Sequence, residues 1–336
     1  MNMNSVFKNS VVLLTGGTGS WGNELIKQLL EKDPKQIIIF SRGELAQVMT
    51  KLKFNNNPKL NFVVGDVRDA DAVDMLFSQN KIDYVYHLAA LKHVPVCENQ
   101  PQEAIKTNIT GTTNLVNAAI KYKVKRLIDV STDKAVSPNN LYGYTKAVGE
   151  KVVIQANKLT KDTDFVCIRG GNVLGSNGSV VPLFIDQIKN KNEITLTVGH
   201  MTRYFLTLPE AINLLFKASL SGVGGETFVM NMPSFYISEL GDVLIDYYGN
   251  LNTGIKEIGI REGEKIDELL ISEHEAYRAY IFDEDYYVIK PDLEVARDFT
   301  YLNSLPKVSF SKFSSADNLK GKAFLKNLLD KGGFLR

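Results

Sequence analysis

Several ionisable side chains crowd into one short segment, STDKAVSPNNLYGYTK, which runs from Ser131 to Lys146. Tyr142 and Lys146 are four residues apart, a spacing that places them on one face of a helix. A tyrosine ordinarily ionises at about pH 10, and a neighbouring ammonium favours its phenolate, so such a pair can take up a proton closer to neutral pH. Asp133 and Lys134 add a carboxyl and an amine shortly before them. These residue types predict a site at which several protons move.

Short apolar runs alternate with amphipathic stretches over the first half of the chain. The strand-like runs are residues 11–15, 36–40, 61–64, 83–89, 126–131 and 164–169. Strand and helix in repetition require right-handed crossovers, and runs that are apolar throughout fit strands covered on both faces. The sequence therefore predicts an α/β fold with a Rossmann-type doubly wound parallel sheet. The proton-moving segment begins where the fifth strand ends, which is the edge where the crevice of such a sheet lies.

The rhythm changes after about Gly170, where loops become frequent and short strands mix with short helices. We expect residues 1–169 to form the Rossmann domain, which carries the catalytic residues. Residues 170–336 are expected to form mainly a smaller α/β substrate-binding portion, and the chain is free to interleave between the two. Residues 319–336 predict an amphipathic helix with a frayed end.

A glycine turn follows the first strand and opens the first helix. Gly16, Gly19 and Gly22 lie in the stretch TGGTGSWG. Glycines in such a turn allow close backbone approach to a pyrophosphate and tight packing of helix on strand, while free N–H groups at the helix start face the phosphates. We predict a dinucleotide site here; the alternative is a turn that only packs tightly.

The ends of the second and third strands predict how that dinucleotide is read. Ser41 and Arg42 follow the second strand, and a guanidinium can grip a ribose 2′-phosphate, so NADP is favoured over NAD. In the alternative, Arg42 is a surface charge and Glu44 contacts the ribose. Asp66 and Val67 follow the third strand and are placed to meet the adenine. Asp66 could instead cap the next helix, although Asp69 looks the better cap.

The charge balance excludes two classes of partner. Lys and Arg together number 39 and Asp and Glu 38, so no strong basic field exists to hold nucleic acid or an anionic membrane. No run of about 20 apolar residues occurs, so we expect no transmembrane helix. The N-terminal residues lack the pattern of a signal peptide. A small-molecule partner is favoured.

The cysteines and histidines predict no metal site. Cys97 and Cys167 fit neither a disulfide framework nor a metal-ligand spacing, so we expect reduced thiols in a cytoplasmic protein. The histidines are scattered, without the clustering that a metal requires. They are His87, His93, His200 and His274.

Taken together, the motifs resemble the extended short-chain dehydrogenase/reductase superfamily, and within it the nucleotide-sugar 4,6-dehydratases that act on N-acetylhexosamines. The resemblance runs over nearly the whole chain. It rests on TGGTGSWG, GDVRD, HLAALKHVPVCE, KTNITGT, STDKAVSPNNLYGYTK, GNVLGSNGSVVP, MTRYF and IREGEK. Each motif is a moderate signal, and their order is specific.

The resemblance implies roles for the opening segment. Tyr142 would take the proton of the sugar 4-hydroxyl as C4 gives hydride to NADP, and Lys146 would lower the pKa of Tyr142 and hold the nicotinamide ribose. Lys134 would remove the C5 hydrogen, for which its pKa must fall below the ordinary value of about 10.4. Asp133 would protonate the departing 6-hydroxyl. The alternative for Asp133 and Lys134 is a solvated ion pair in a turn.

The resemblance also implies further binding residues. Thr132, or Ser131, would hydrogen-bond near O4. The cofactor site would include Thr18, Ser20, Ala89, Lys92 and Asn108, the last supporting the catalytic lysine through water. The substrate would meet Lys92, Asn172, Val180, Arg203, Arg261 and Glu264, with Lys265 in the same run; the arginines could instead be ordinary surface charge.

Two positions depart from the family pattern. Gly170 stands where the family often has an aromatic residue, and Asn177 where it often has an arginine. Both touch the substrate pocket, so they bear on the identity of the sugar or nucleotide and leave the chemical class intact.

These features predict an NADP-dependent 4,6-dehydratase acting on a nucleotide-diphospho-N-acetylglucosamine, with UDP the expected nucleotide and GDP the alternative. The nearest rival is a nucleotide-sugar 4-epimerase, which needs no Asp–Lys pair for elimination. A dehydratase that releases a 5,6-unsaturated sugar and a non-catalytic NADP-binding regulator are further rivals. Retention or inversion at C5 depends on which face is reprotonated. The resemblance further implies a homo-oligomer, a dimer or hexamer, paired through helices beside the crevice.

Overall fold

The computed structural model of the chain describes residues 6–176, 178–295 and 297–335. Its main sheet runs in the order β14-β15-β10-β6-β5-β4-β1-β2-β3. The strands are β1 Val11–Thr15, β2 Gln36–Ser41, β3 Leu60–Val64, β4 Tyr84–His87, β5 Arg126–Thr132, β6 Asp164–Gly170, β7 Asn172–Val173, β8 Glu193–Leu196, β9 Thr202–Leu206, β10 Thr227–Met230, β11 Ser234–Tyr236, β12 Gly254–Glu257, β13 Leu269–Ile271, β14 Ala279–Ile281, β15 Tyr286–Ile289 and β16 Phe313–Ser314.

The α-helices connect these strands, apart from the last helix, which follows β16. They are α1 Ser20–Leu30, α2 Glu44–Lys53, α3 Ala70–Gln79, α4 Val94–Asn99, α5 Pro101–Ile105, α6 Gly111–Lys121, α7 Leu141–Ala156, α8 Val180–Lys191, α9 Leu208–Ser221, α10 Ile237–Tyr248, α11 Glu273–Ala276 and α12 Lys322–Lys331. Helix α12 confirms the amphipathic helix predicted near the C-terminus. Helix α3 begins after Asp69, whose carboxylate accepts the N–H groups of Asp71 and Ala72, so Asp69 is the cap.

Neighbouring strands of this sheet are parallel along the series β3, β2, β1, β4, β5, β6 and β10. β15 and β14 complete the sheet, and both pair in antiparallel fashion. Alternate residues of one strand serve two cores: Val12 and Leu14 of β1 pack on one side of the sheet, and Leu13 packs on the other. Leu25 of α1 lies in the first core and Leu115 of α6 in the second. Helices therefore cover both faces, and the predicted doubly wound α/β fold is confirmed.

The later part of the chain contributes to two regions. β10, β14 and β15 join the main sheet, while β11, β9 and β7 form a small sheet of their own. A third core lies beside that small sheet, where Phe184 of α8, Leu240 of α10 and Leu325 of α12 pack together. The division after residue 169 stays a prediction; the chain beyond it is shared between the main sheet and this smaller unit.

Two kinds of feature are absent from the described ranges. Neither a helix with the length and apolarity to cross a membrane nor a cluster of His, Cys, Asp and Glu suited to a metal ion occurs in them. Cys97 and Cys167 are both buried, unpaired thiols.

Candidate active site

A cavity of about 700 Å³ lies at the carboxyl ends of β1 to β6. Most of the residues that the sequence singled out meet there. Those lining it are Gly16, Thr18, Gly19, Ser20, Gly22, Ser41, Arg42, Asp66, Val67, Ala89, Lys92, Ser131, Thr132, Lys134, Tyr142, Asn172 and Val180. The lining does not include Asn108, Asp133, Lys146, Arg203, Arg261 or Glu264.

The glycine turn forms one end of this cavity. Gly16 has a φ of +67°, and a Cβ there would lie 2.9 Å from the Ala89 backbone. A Cβ on Gly22 would lie 2.2 Å from the Gly17 carbonyl oxygen, so glycine lets α1 pack against the turn. Helix α1 begins at Ser20, and its first N–H groups lie at the cavity wall. This tight, glycine-rich turn at a helix N-terminus fits the diphosphate of a dinucleotide.

The polar residues at the ends of β2 and β3 differ in their hydrogen bonds within the protein. Arg42 is exposed at the rim, while the Ser41 hydroxyl accepts a hydrogen bond from Gln47 at 3.0 Å. Asp66 accepts from the backbone N–H of Arg68 at 3.0 Å and from its Nε at 2.7 Å. Burial acts to raise the pKa of Asp66, but the hydrogen bonds and charge of Arg68 prevail and lower it. The partner of the carboxylate expected at the adenine is Arg68, which was not predicted from the sequence.

A single 3₁₀ turn, Asp133–Ala135, follows β5 and holds the predicted acid and base. The Thr132 hydroxyl donates to Oδ1 of Asp133 at 2.9 Å and accepts from the Lys134 N–H at 3.3 Å. Lys134 Nζ lies 3.0 Å from the same Oδ1. Asp133 is fully buried, and its Oδ2 has no hydrogen-bond partner among the described residues. The pair is therefore not the solvated surface pair of the alternative interpretation.

Lys134 faces a second carboxylate that was not predicted from the sequence. Oε1 of Glu268 lies 3.4 Å from Lys134 Nζ, and Glu268 is almost fully buried. Burial alone would lower the pKa of Lys134, but Asp133 and Glu268 together outweigh it and raise that pKa. The expectation of a lowered pKa is therefore wrong, because the sequence did not reveal the second carboxylate.

Tyr142 lies in the first turn of α7, where Asn140 caps the helix by accepting the Gly143 N–H at 2.8 Å. Its pKa is raised, because burial outweighs the opposing effects of Lys146, Lys134 and a hydrogen bond with Thr132. The expected lowering by Lys146 is present, but it is not the largest effect.

Tyr144 is about half exposed and does not line the cavity. Tyr142 is therefore the tyrosine of this segment that faces the site.

Lys146 is buried in an ion pair. Its Nζ lies 3.1 and 3.2 Å from the two carboxylate oxygens of Asp129, which is fully buried in β5. Burial would lower the pKa of Lys146, but the nearby charges of Asp129 and Tyr142 raise it. The sequence did carry a signal for this pair, since Asp129 is a charged residue inside a strand that is covered on both faces.

Asn108 lies in a π-helical turn, Lys106–Thr110, and is buried. Its amide accepts from the Leu91 N–H at 2.8 Å and donates to the Leu91 carbonyl at 2.9 Å and to the Thr145 hydroxyl at 3.0 Å. It thus fixes a loop of the cavity wall to the residue beside Lys146, from behind the lining.

On the substrate side, Asn172 and Val180 line the cavity, but Arg203 does not. The Arg203 guanidinium is buried and donates to the carbonyl oxygens of Thr202, Lys265 and Ile266 at 2.7, 3.0 and 3.0 Å. These bonds stabilise the chain around Arg203, whereas the sequence predicts that its guanidinium contacts phosphate.

Arg261 and Glu264 lie on a loop that packs over the turn before α7. Their side chains are 3.9 Å apart, and that of Arg261 is 55% exposed. The Asn140 amide donates to the Gly263 carbonyl at 2.8 Å, which fastens the loop close to the site. Lys265 donates to the Val136 carbonyl at 2.8 Å in the same contact.

The sulfur atoms of Met230 and Met232 lie beside Gly170, where a larger residue would place its side chain. A Cβ on Gly170 would lie 3.1 Å from the Met230 sulfur, and the Gly171 N–H donates to the Met232 sulfur at 3.0 Å. An aromatic side chain at residue 170 would require these methionines to move. Asn177, the other departure from the family pattern, lies outside the described residues.

Comparisons with known proteins agree with this fold. Residues 12–291 match a family described as polysaccharide biosynthesis protein. The chain is 40% identical to a UDP-N-acetylglucosamine 4,6-dehydratase (inverting) of Campylobacter jejuni subsp. jejuni serotype O:23/36 (strain 81-176), over 97% of this chain and 98% of that protein. It is 42% identical to a UDP-glucose 4-epimerase of Rickettsia canadensis (strain McKiel), over 88% and 86%. Pen from Bacillus thuringiensis, known from an X-ray structure, superposes with a TM-score of 0.90 at 36% identity, over 98% of this chain and 100% of that one.

Proposed function

Since the chain belongs to the family of polysaccharide biosynthesis proteins, we propose that it is a nucleotide-sugar 4,6-dehydratase. Its substrate in this proposal is a nucleotide-diphospho-N-acetylglucosamine, with UDP as the nucleotide, and its product a 4-keto-6-deoxy sugar. One observation carries the proposal: Tyr142 and Lys134 line one cavity, and Asp133 lies 3.0 Å from Lys134 Nζ. The relative from Campylobacter jejuni, similar over nearly its whole length, supports the same reaction.

The cofactor in this proposal is NADP, which would supply the exchange of a hydride with C4 and C6 of the sugar. The glycine turn at Gly16 and Gly22 and the N-terminus of α1 would hold its diphosphate. Arg42, exposed at the rim, would contact the 2′-phosphate that distinguishes NADP from NAD. The dinucleotide would thus lie along the carboxyl ends of β1 and β2.

Tyr142 would accept the proton of the sugar 4-hydroxyl during oxidation. The positive charges of Lys146 and Lys134 lower the pKa of Tyr142 against the larger effect of burial, so both stabilise the phenolate that forms. The Thr132 hydroxyl would hydrogen-bond near O4, because its hydrogen bond with Tyr142 places it beside the tyrosine that receives the O4 proton. The 4-ketone that results acidifies the C5 hydrogen.

Lys134 and Asp133 would carry out the elimination. Lys134 starts out holding a proton, because its pKa is raised. Before it can take the C5 proton, it must pass one to Asp133, whose Oδ1 is 3.0 Å away. The pair then consists of a neutral amine, which takes the C5 proton, and a neutral acid, which protonates the departing 6-hydroxyl.

A 4-epimerase is the second candidate, because the relative from Rickettsia canadensis carries that name at 42% identity. An epimerase needs an oxidising tyrosine but no acid and base for loss of water. The buried Asp133–Lys134 pair favours the dehydratase.

The test is incubation of the purified protein with UDP- and GDP-N-acetylglucosamine in heavy water, followed by NMR of the product. We expect a 4-keto-6-deoxy sugar that carries solvent deuterium at C5, with UDP as the better nucleotide. A 4-epimer without deuterium at C5 would replace the proposal by the epimerase. Lys134→Ala should abolish uptake at C5 while leaving oxidation at C4 measurable.

We further propose that the protein works in the cytoplasm, where thiols such as Cys97 and Cys167 stay reduced, and as a homo-oligomer. Apolar side chains are exposed on the helices beside the crevice, as expected for a paired surface. They are Val96 of α4, Ile105 of α5, and Tyr144 and Val148 of α7. Sedimentation of the purified protein tests this state, and a monomer at micromolar concentration would contradict it.

A further inference from the structure

Glu268 is a buried carboxylate for which the proposed chemistry has no role. It lies just before β13 and is 2% exposed. Its Oε1 lies 3.4 Å from Lys134 Nζ and 3.7 Å from Arg203 Nε. Its Oε2 is buried without a hydrogen-bond partner among the described residues. Because an ionised carboxylate is costly to bury, these contacts call for a functional explanation.

The backbone holds this carboxylate firmly in place. The Glu268 N–H donates to the Ser315 hydroxyl at 2.9 Å, and the Ser315 N–H donates back to the Glu268 carbonyl at 2.9 Å. Arg203 clamps the preceding residues through the carbonyl oxygens of Lys265 and Ile266. The position of Glu268 is thus fixed by contacts with two segments that are distant in sequence, one at Arg203 and one at Ser315.

The charges around Lys134 give Glu268 a role as counter-ion that differs from that of Asp133. Asp133 and Glu268 attract its ammonium, whereas Arg203 and Lys265 repel it, and Tyr142 lies within the same field. Asp133 cannot serve as counter-ion throughout the reaction, because in the proposed elimination it carries the proton destined for the leaving hydroxyl. When Lys134 takes the C5 proton and Asp133 is still neutral, Glu268 is the carboxylate that remains beside the new ammonium.

We propose that Glu268 is a positioning residue, which holds Lys134 at the cavity and stabilises the ammonium formed when Lys134 removes the C5 proton. This inference rests on the proposed function. Glu268 makes no bond to substrate and gives up no proton; it acts only through Lys134. Its charge makes the amine more basic, a role that a residue needed only for folding would not have.

The experiment compares Glu268→Gln with wild type in two assays on UDP-N-acetylglucosamine. Deuterium uptake at C5 is followed against pH, and oxidation at C4 is followed by single-turnover absorbance of the reduced nicotinamide. Loss of the carboxylate should move the midpoint of the exchange profile by about 1–3 units toward lower pH. The maximal exchange rate should fall by about tenfold as the amine becomes a weaker base, with oxidation at C4 unchanged.

Two further variants make the result specific. Glu273→Gln removes the same charge from an exposed position of the following helix and should leave the profile unchanged. Glu268→Asp keeps the charge at a greater distance and should give a smaller shift than Glu268→Gln. If Glu268→Gln does not fold, Glu268→Asp becomes the test. A pH profile of Glu268→Asp equal to that of wild type would then overturn the inference.

The failures of the two proposals can be told apart. A wild-type protein that turns over no nucleotide sugar, or exchanges no C5 hydrogen, overturns the proposed function and this inference with it. A wild-type protein that exchanges C5, together with a Glu268→Gln variant of the same midpoint, overturns the inference alone.

Discussion

Lys146 Nζ faces both carboxylate oxygens of Asp129, at 3.1 and 3.2 Å, in a part of the core where neither side chain is more than a few per cent exposed. The pair joins α7, which carries Tyr142, to β5, which leads into the Asp133–Lys134 turn. The fold itself therefore supplies a counter-ion to the ammonium next to the tyrosine.

This pair predicts a large effect on stability when one member is neutralised. Asp129→Asn should lower the free energy of unfolding by about 3–5 kcal/mol, because it leaves an uncompensated buried ammonium. The double variant Asp129→Leu with Lys146→Met should regain much of that loss. Urea unfolding of the three proteins measures both effects, and a loss of only about 1 kcal/mol would indicate a pair no stronger than an exposed one.

Tyr142→Phe should slow oxidation at C4 by at least about 10²–10⁴-fold, as expected when a general base is removed. The ring and its packing remain, so the melting temperature should stay close to that of wild type. Tyr144→Phe is the matched control, because Tyr144 is 54% exposed. Single-turnover absorbance distinguishes them; near-normal turnover by the folded Tyr142→Phe protein would move the role elsewhere.

Arg42→Ala should weaken the binding of NADP by about 1.5–3 kcal/mol, the range for a hydrogen bond to a charged group. NAD lacks the 2′-phosphate and should lose little, so it serves as the internal control. Titration of both dinucleotides by calorimetry gives the two changes. Equal losses would show that Arg42 does not read the 2′-phosphate.

The stability of the protein in acid should depend on Glu275. Arg169 bonds Glu150 at 2.7 and 2.9 Å and Glu275 at 2.8 and 3.0 Å. Burial acts to raise the pKa of Glu275, but Arg169 lowers it to about 2. Its ordinary value is about 4.3, so the stabilisation is complete above that pH and is lost as the pH falls toward 2.

Glu275→Gln should therefore flatten the decline of the unfolding free energy between those two pH values. Unfolding by urea at a series of pH values provides the measurement. Glu273→Gln, an exposed change in the same short helix, should decline like wild type. A Glu275→Gln protein that also declines like wild type would remove Glu275 as the source of the acid sensitivity.

The main sheet was predictable because its physical cause is local. Each strand of the first half is apolar over several consecutive residues, and the glycine turn after β1 has a spacing that one short motif displays. β4 was predicted to extend to residue 89 but ends at His87, because Leu88 and Ala89 turn past Gly16, where a Cβ would meet Ala89 at 2.9 Å. The hydropathy of the sequence does not show where a strand ends for such a steric reason.

The electrostatics of the site were less predictable because they depend on distant segments. Lys134 and Glu268 are far apart in sequence, and the strands of the small sheet lie between them. Arg203 has the residue type of a phosphate grip, yet its donors are bonded to carbonyl oxygens that no spacing rule indicates. Asp129 is the exception, since a charged residue in a buried strand already implies a buried partner.

The order of the strands has a consequence for synthesis on the ribosome. β6 lies beside β10 in the finished sheet, but the small sheet's first strands and two helices are made between them. A nascent chain therefore holds an apolar strand with an open edge until β10 has emerged, and such edges recruit other chains. Chaperone binding or aggregation should be greatest for ribosome-bound chains that end before Thr227.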